Sequence, residues 1–182
     1  MSDSGEPGPS SFDFLSRRRF IQLGLGAGAA VLALGAGGLA LRGRATGPSG
    51  LRILSAHDHR TLSTLARAMI PSGGAFELGA EDRDLAKSFD DFLVDEPDEV
   101  VRDLRRALVL VEFGPLLFAG RLSTFSHLDP AEAERHWESW ATSGFLLRRQ
   151  IAIAFRKFLM LVFYDHPDVW PSIGYPPPTF MG

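Results

Sequence analysis

The sequence predicts an all-α fold: a small bundle of about five helices that runs into an extended Pro-rich C-terminal tail and is preceded by an N-terminal signal or anchor helix. Three observations carry this expectation. Apolar residues recur at helical spacing in five stretches between positions 55 and 164. No stretch alternates apolar and polar residues as a half-buried strand would. Residues 21–41 hold no charged side chain. Composition changes near Gly50, so the chain divides into residues 1–50 and a body of residues 51–182.

The chain has 19 Lys and Arg against 22 Asp and Glu, a formal net charge of −3. Five of those cations and three of those acids precede Thr46, which leaves 14 against 19 on the remainder, a net −5. An acidic body lacks the clustered cations that release counterions from phosphates, so a nucleic-acid partner is excluded. There is no cysteine, so this chain holds no disulfide, iron–sulfur cluster, thiolate zinc site or covalently attached haem. Any redox cofactor of an assembly belongs to another subunit.

Ser16-Arg17-Arg18-Arg19-Phe20-Ile21-Gln22 resembles a twin-arginine export signal, with Ser16, Arg17, Arg18, Phe20 and Ile21 at the matching positions and Gln22 departing from the usual Lys. The resemblance implies the twin-arginine translocase as a partner and delivery, already folded, to the periplasmic face of the bacterial inner membrane. The 21 uncharged positions that follow span about 31 Å as a helix, the thickness of a bilayer core. Six glycines from Gly24 to Gly38 keep the stretch only moderately apolar. Gly35-x-Gly37-x-x-Ala40 imitates a dinucleotide fingerprint but lacks its strand, turn and helix setting. Directly after Leu41, Arg42-Gly43-Arg44-Ala45-Thr46 offers no Ala-x-Ala cleavage site. Two outcomes stay open: a retained segment anchors the protein, and a cleaved one leaves it soluble in the periplasm.

In the body, Ser55 followed by Asp58 reads as a capping box with Asp in the place of Glu or Gln, and Leu62, Leu65, Ala66 and Met69 extend a first helix to Pro71. A second helix is expected from near Asp82, with Leu85, Phe89, Phe92 and Leu93 on one face. A third runs from Asp98 through Val101, Leu104, Leu108 and Val111 until Pro115 kinks or stops it. Asp129-Pro130-Ala131-Glu132 is a strong start signal for a fourth, which carries Trp137 and Trp140. The fifth, over residues 145–164, has no Pro or Gly and is the expected central helix; Arg148, Arg149, Arg156 and Lys157 argue against a second membrane span. Beyond Asp165, five prolines predict an extended tail lying against the bundle.

The residues offer little catalytic chemistry. His57 and His59, two apart on a helix, face different ways and read with Asp58 as a solvated helix start, not a metal site. His127, His136 and His166 are scattered, and Asp90-Asp91 and Asp95-Glu96 read as a solvated face near a helix end. No nucleophile with a base, phosphate loop or pair of working carboxylates is assignable.

Phe125-Ser126-His127-Leu128-Asp129-Pro130, Trp137-Glu138-Ser139-Trp140, Arg148-Arg149, Tyr164, Pro167, Trp170 and Ile173-Gly174-Tyr175 together resemble the gluconate 2-dehydrogenase subunit 3 family, the small gamma subunit. Ala68-Met69-Ile70-Pro71-Ser72 fits as well, and the similarity covers residues 51–178. The chain departs at Pro176-Pro177-Pro178. The resemblance implies a noncatalytic accessory subunit that carries the export signal for an FAD-containing catalytic subunit of the glucose-methanol-choline type, with a haem c subunit taking the electrons onward. The candidate contacts with that flavoprotein are Trp137, Trp140, Trp170, Ile173, Gly174 and Tyr175, which either face the partner or close the core of this chain. The alternative is a free-standing envelope protein anchored by an uncleaved signal segment.

Overall fold

The computed structural model describes residues 45–73 and 77–175. The candidate signal residues Ser16, Arg17, Arg18, Phe20 and Ile21, the uncharged stretch 21–41 and Pro176, Pro177 and Pro178 lie outside the described residues. Among the described residues the chain forms six α-helices, three 3-10 segments and no strand. The body is all-α.

Helix α1, Ala56–Met69, starts where the sequence places it. Ser55 Oγ accepts from the Asp58 N–H at 3.2 Å while the Asp58 carboxylate accepts from the Ser55 N–H at 3.1 Å, so Asp performs the part usually given to Glu or Gln. Helix α2, Leu85–Phe92, starts three residues later than Asp82, because Asp84 is the cap and accepts from the Lys87 N–H at 3.2 Å. Asp82 serves the loop before it, accepting from the Gly79 N–H and the Ser72 hydroxyl, each at 2.7 Å, and these bonds hold its carboxyl below the usual range. Leu93–Asp95 continues as a 3-10 turn.

Helix α3, Asp98–Glu112, stops at the approach to Pro115, which has no N–H to offer the preceding turn. The chain does not simply bend there: Pro115 sits in the first turn of a separate short helix α4, Gly114–Ala119, whose six residues are too few to show a periodicity. Gly114 is required by close approach, since a Cβ there would lie 2.8 Å from both His136 Nε2 and Trp140 Cζ2. Phe125–His127 is a 3-10 turn, and helix α5, Pro130–Ala141, follows with Asp129 accepting from the Glu132 N–H at 2.8 Å. Helix α6 is Leu146–Tyr164. Among the described residues no helix is long and apolar enough to cross a membrane.

The hub of the bundle is α1, which packs against α2, α3, α5 and the 125–127 turn, whereas α6 packs on α2, α5 and the terminal segment. This corrects the expectation that α6 is central. Leu62 and Leu65 of α1 meet Phe89, Leu108, Phe125, Trp140, Phe155, Leu159 and Phe163 in one fully buried core, each worth about 1.5 to 3 kcal/mol of burial.

Three carboxylates are used as internal fasteners. Glu112, fully buried, accepts from Thr61 Oγ1 at 2.9 Å and from the N–H and hydroxyl of Ser126 at 3.0 and 2.7 Å, so one side chain ties α3 to α1 and to the 125–127 turn. Asp90, also fully buried, accepts from the backbone N–H groups of Arg52, Ile53 and Leu54 at 2.8, 2.9 and 2.7 Å. Burial opposes its charge, but the three N–H groups and Lys87 outweigh burial and leave its carboxyl below the usual range. Asp58 is buried as well and meets Arg105 Nε at 3.3 Å. Asp58 and Asp90 are therefore not the solvated residues the sequence suggests, because each has backbone donors to satisfy inside the fold.

As far as Tyr175, the C-terminal segment is not extended. Pro167–Ile173 winds as a 3-10 helix with Pro171 inside it, since a fixed φ near −65° suits that winding. It docks on the bundle, as expected, through Val169, which is buried, while His166 Nε2 lies 3.1 Å from Ser88 Oγ and Asp168 pairs with Arg83 at 2.6 Å. Gly174, at φ 70°, supplies the left-handed residue that lets the Tyr175 N–H return to Trp170 O at 2.9 Å. That is a physical reason for Ile-Gly-Tyr at the end of the segment.

Candidate partner interface

Helix α6 buries Ile151, Ala152, Phe155, Leu159, Val162 and Phe163. On the other side Leu146, Ile153, Leu161 and Tyr164 are exposed, with Ile153 at 56% and Leu161 at 57%. Positions 146, 153, 157, 161 and 164 fall within about 80° of arc at 100° per residue, so these four apolar side chains share one line with Lys157. From 146 to 164 the line is about 27 Å long. Single exposed apolar residues are ordinary, whereas these four are aligned on one face of the longest described helix.

Aromatic residues stand at both ends of the line. At its start Phe145 is 68% exposed and lies 6.4 Å from Phe118 of α4, which meets the edge of Trp140 at 5.7 Å. The Arg148 guanidinium covers this group, 4.8 Å from the Phe118 ring centre and 5.2 Å from that of Trp140, while its Nη2 donates to Ser139 Oγ at 2.7 Å. Burial holds the Arg148 pKa below its ordinary value. At the far end Trp170 Nε1 donates to Tyr164 O at 2.8 Å, Tyr175 meets Trp170 edge to face at 5.7 Å, and Ile173 and Tyr175 are exposed.

The six sequence-selected contact residues separate in space. Trp137 and Trp140 are core residues: they stack on each other at 5.7 Å, Trp137 meets Phe155 at 6.4 Å, and both are buried. In the chain by itself they offer no open surface, because α6 covers α5. Trp170 is half-buried, and Ile173, Gly174 and Tyr175 are exposed. Sequence reading misses Leu146, Ile153 and Leu161 altogether. Their signal was present, since α6 has apolar residues on more sides than one core contact needs.

His136 lies under this surface. Its Nε2 accepts from Trp140 Nε1 at 3.1 Å, and burial first, then the charges of Arg148 and Arg121, lower its pKa to about 4 from an ordinary 6.5. The folded state thus refuses a proton that the unfolded chain accepts below about pH 6.5. Stability is expected to fall as pH drops from about 6.5 to 4 and to lose nothing further from this group below 4. Melting temperatures across that range check this, and His136→Gln should flatten the decline.

Among the described residues no cluster of three or more His, Asp or Glu could hold a metal ion. A scan against protein-family models and searches of curated proteins and of solved structures find no match to this chain.

Proposed function

We propose that this chain is the noncatalytic small subunit and export escort of a flavin-dependent sugar or alcohol dehydrogenase of the glucose-methanol-choline type. The body binds the folded flavoprotein through the exposed line of α6 and its aromatic ends. Residues 1–50 then address the pair to the twin-arginine translocase and, where the segment is retained, hold it at the periplasmic face of the inner membrane. FAD resides in the partner, and a haem c subunit is the onward electron acceptor.

The observation that carries the reading is the uncovered apolar line of Leu146, Ile153, Leu161 and Tyr164. Water contact along such a line is costly, and a permanent partner removes that cost. The twin-arginine motif supplies the address.

The test is to purify the full-length chain gently from its own host and record the absorbance of the material that elutes with it. Stoichiometric bound flavin is the expected result. A colourless chain eluting by itself contradicts the escort reading and favours the free-standing anchored protein.

A further inference from the structure

Helix α1 and the cap of α2 bring a Ser, a His and an Asp into line. His59 Nε2 lies 3.1 Å from Asp84 Oδ1, and His59 Nδ1 lies 3.5 Å from Ser63 Oγ, one helical turn further along α1. A proton on Nε2 directed to the carboxylate leaves the Nδ1 lone pair facing the hydroxyl. The imidazole is shielded, its side chain 13% exposed. At rest the Ser63 hydroxyl donates to His59 O at 2.9 Å. Turning its hydrogen about the C–O bond redirects it to Nδ1 and moves no heavy atom. A nucleophile, a base and a group that orients the base are the parts of a serine acyl-transfer site.

Asp84 is held in an unusual backbone. Among the described residues it is the one non-glycine with a positive φ, 40°, a region that crowds a Cβ. Capping does not account for it. Ser55 and Asp129 cap their helices from extended backbone, whereas Asp84 accepts from the Lys87 N–H at 3.2 Å out of the left-handed region. What distinguishes Asp84 from those caps is its bond to His59, and strain of this kind gathers at working sites.

Ser63 also borders two cavities. The larger, of about 490 Å³, opens between α1 and α5 and has an apolar side made by Ala68, Pro71, Leu128, Pro130 and Ala131. The smaller, of about 330 Å³, lies toward α2 and is lined by Ala80, Glu81 and Asp84. Arg67, one turn beyond Ser63 and paired with Glu81, lines both. The hydroxyl therefore stands between an apolar space that suits an acyl chain and a polar space that suits a departing alcohol, with a guanidinium beside it.

We propose that Ser63 is the nucleophile of an acyl-transfer site for short aliphatic carboxylic esters, with His59 as its base and Asp84 as the positioning residue for His59. Ser63 Oγ bonds to the ester carbonyl carbon while its proton passes to His59 Nδ1, and Arg67 stabilises the carbonyl oxygen as it gains charge. The C–O bond to the alcohol then breaks, and the proton leaves with the alcohol. Water attacks the acyl-serine and gives a proton to His59, which returns it to Ser63 Oγ as the carboxylic acid departs. The exposed line of α6 takes no part, so this activity and flavin retention hold or fail separately.

The experiment treats the full-length chain with a fluorophosphonate, which modifies activated serines, and locates the adduct by peptide mass spectrometry. An adduct at Ser63 is expected in the parent chain, and its rate of formation should fall about a hundredfold or more in His59→Gln. Where His59→Gln melts early, the parent adduct decides alone. Hydrolysis of p-nitrophenyl butyrate should be lost in Ser63→Ala. Asn also caps helices, so Asp84→Asn keeps the start of α2; kcat should fall about tenfold there with KM within about twofold of the parent. No adduct at Ser63 in the parent overturns the proposal, as does hydrolysis that survives Ser63→Ala or a labelling rate unchanged in a folded His59→Gln. An unchanged kcat in Asp84→Asn overturns the role given to Asp84.

Discussion

Replacing Ile153 and Leu161 together by Asp is expected to abolish flavoprotein retention while leaving the melting temperature within about 3 °C of the parent. Both side chains are more than half exposed, so their loss opens no cavity in the core. In the complex each would bury an aliphatic side chain worth about 1.5 to 3 kcal/mol, which together is a factor of about 10² to 10⁴ in affinity. An Asp in the same place must also be desolvated without a partner, which adds to the loss. The comparison is a flavin-retention titration beside a thermal melt by circular dichroism. Retention at the parent level would show that α6 does not face the partner. A collapse of the melt would show that the line is part of the fold.

The second large effect concerns stability. Asp90→Ala is expected to cost about 3 kcal/mol or more and to lower the melting temperature by about 10 °C, because it strands the backbone N–H groups of Arg52, Ile53 and Leu54 around a cavity. Asp90→Asn keeps the shape but turns an NH2 toward at least one of those donors, so it should fall between parent and Ala. The carboxyl is lowered in the fold, so its contribution is fully present above the unfolded value of 3.8 and is lost as pH falls through the lower folded value. Asp90→Asn should remove that part of the acid loss. Arg52, Ile53 and Leu54 lead into α1, so Asp90 also fixes the chain just before the first helix of the body. A melt of Asp90→Ala indistinguishable from the parent would contradict this account of the fastener.

What was legible in the sequence was local. The Ser55–Asp58 box, the Asp129 cap and the limits of α6 are set by residues three or four apart, and the fold places them accordingly. What depends on distant partners was not legible. Asp90 looks like a surface acid until residues 52–54 fold back onto it, and Trp137 looks available until α6 covers it. The described part of the tail departs from the expected extension because a 3-10 winding accepts Pro167 and Pro171, while Pro176, Pro177 and Pro178 lie outside the described residues. The candidate surface was half visible: Ile173 and Tyr175 follow from the tail, while Ile153 and Leu161 were hidden among the other apolar residues of their helix.

The central claim is that one address serves two proteins. It is tested most directly by locating the flavoprotein in cells whose only change is Arg17→Lys with Arg18→Lys in this chain. The translocase reads a paired guanidinium pattern, and Lys offers a point charge in its place. Both proteins are then expected in the cytoplasmic fraction, with the envelope emptied of flavin-dependent dehydrogenase. A flavoprotein that still reaches the envelope, while this chain stays behind, would contradict the account.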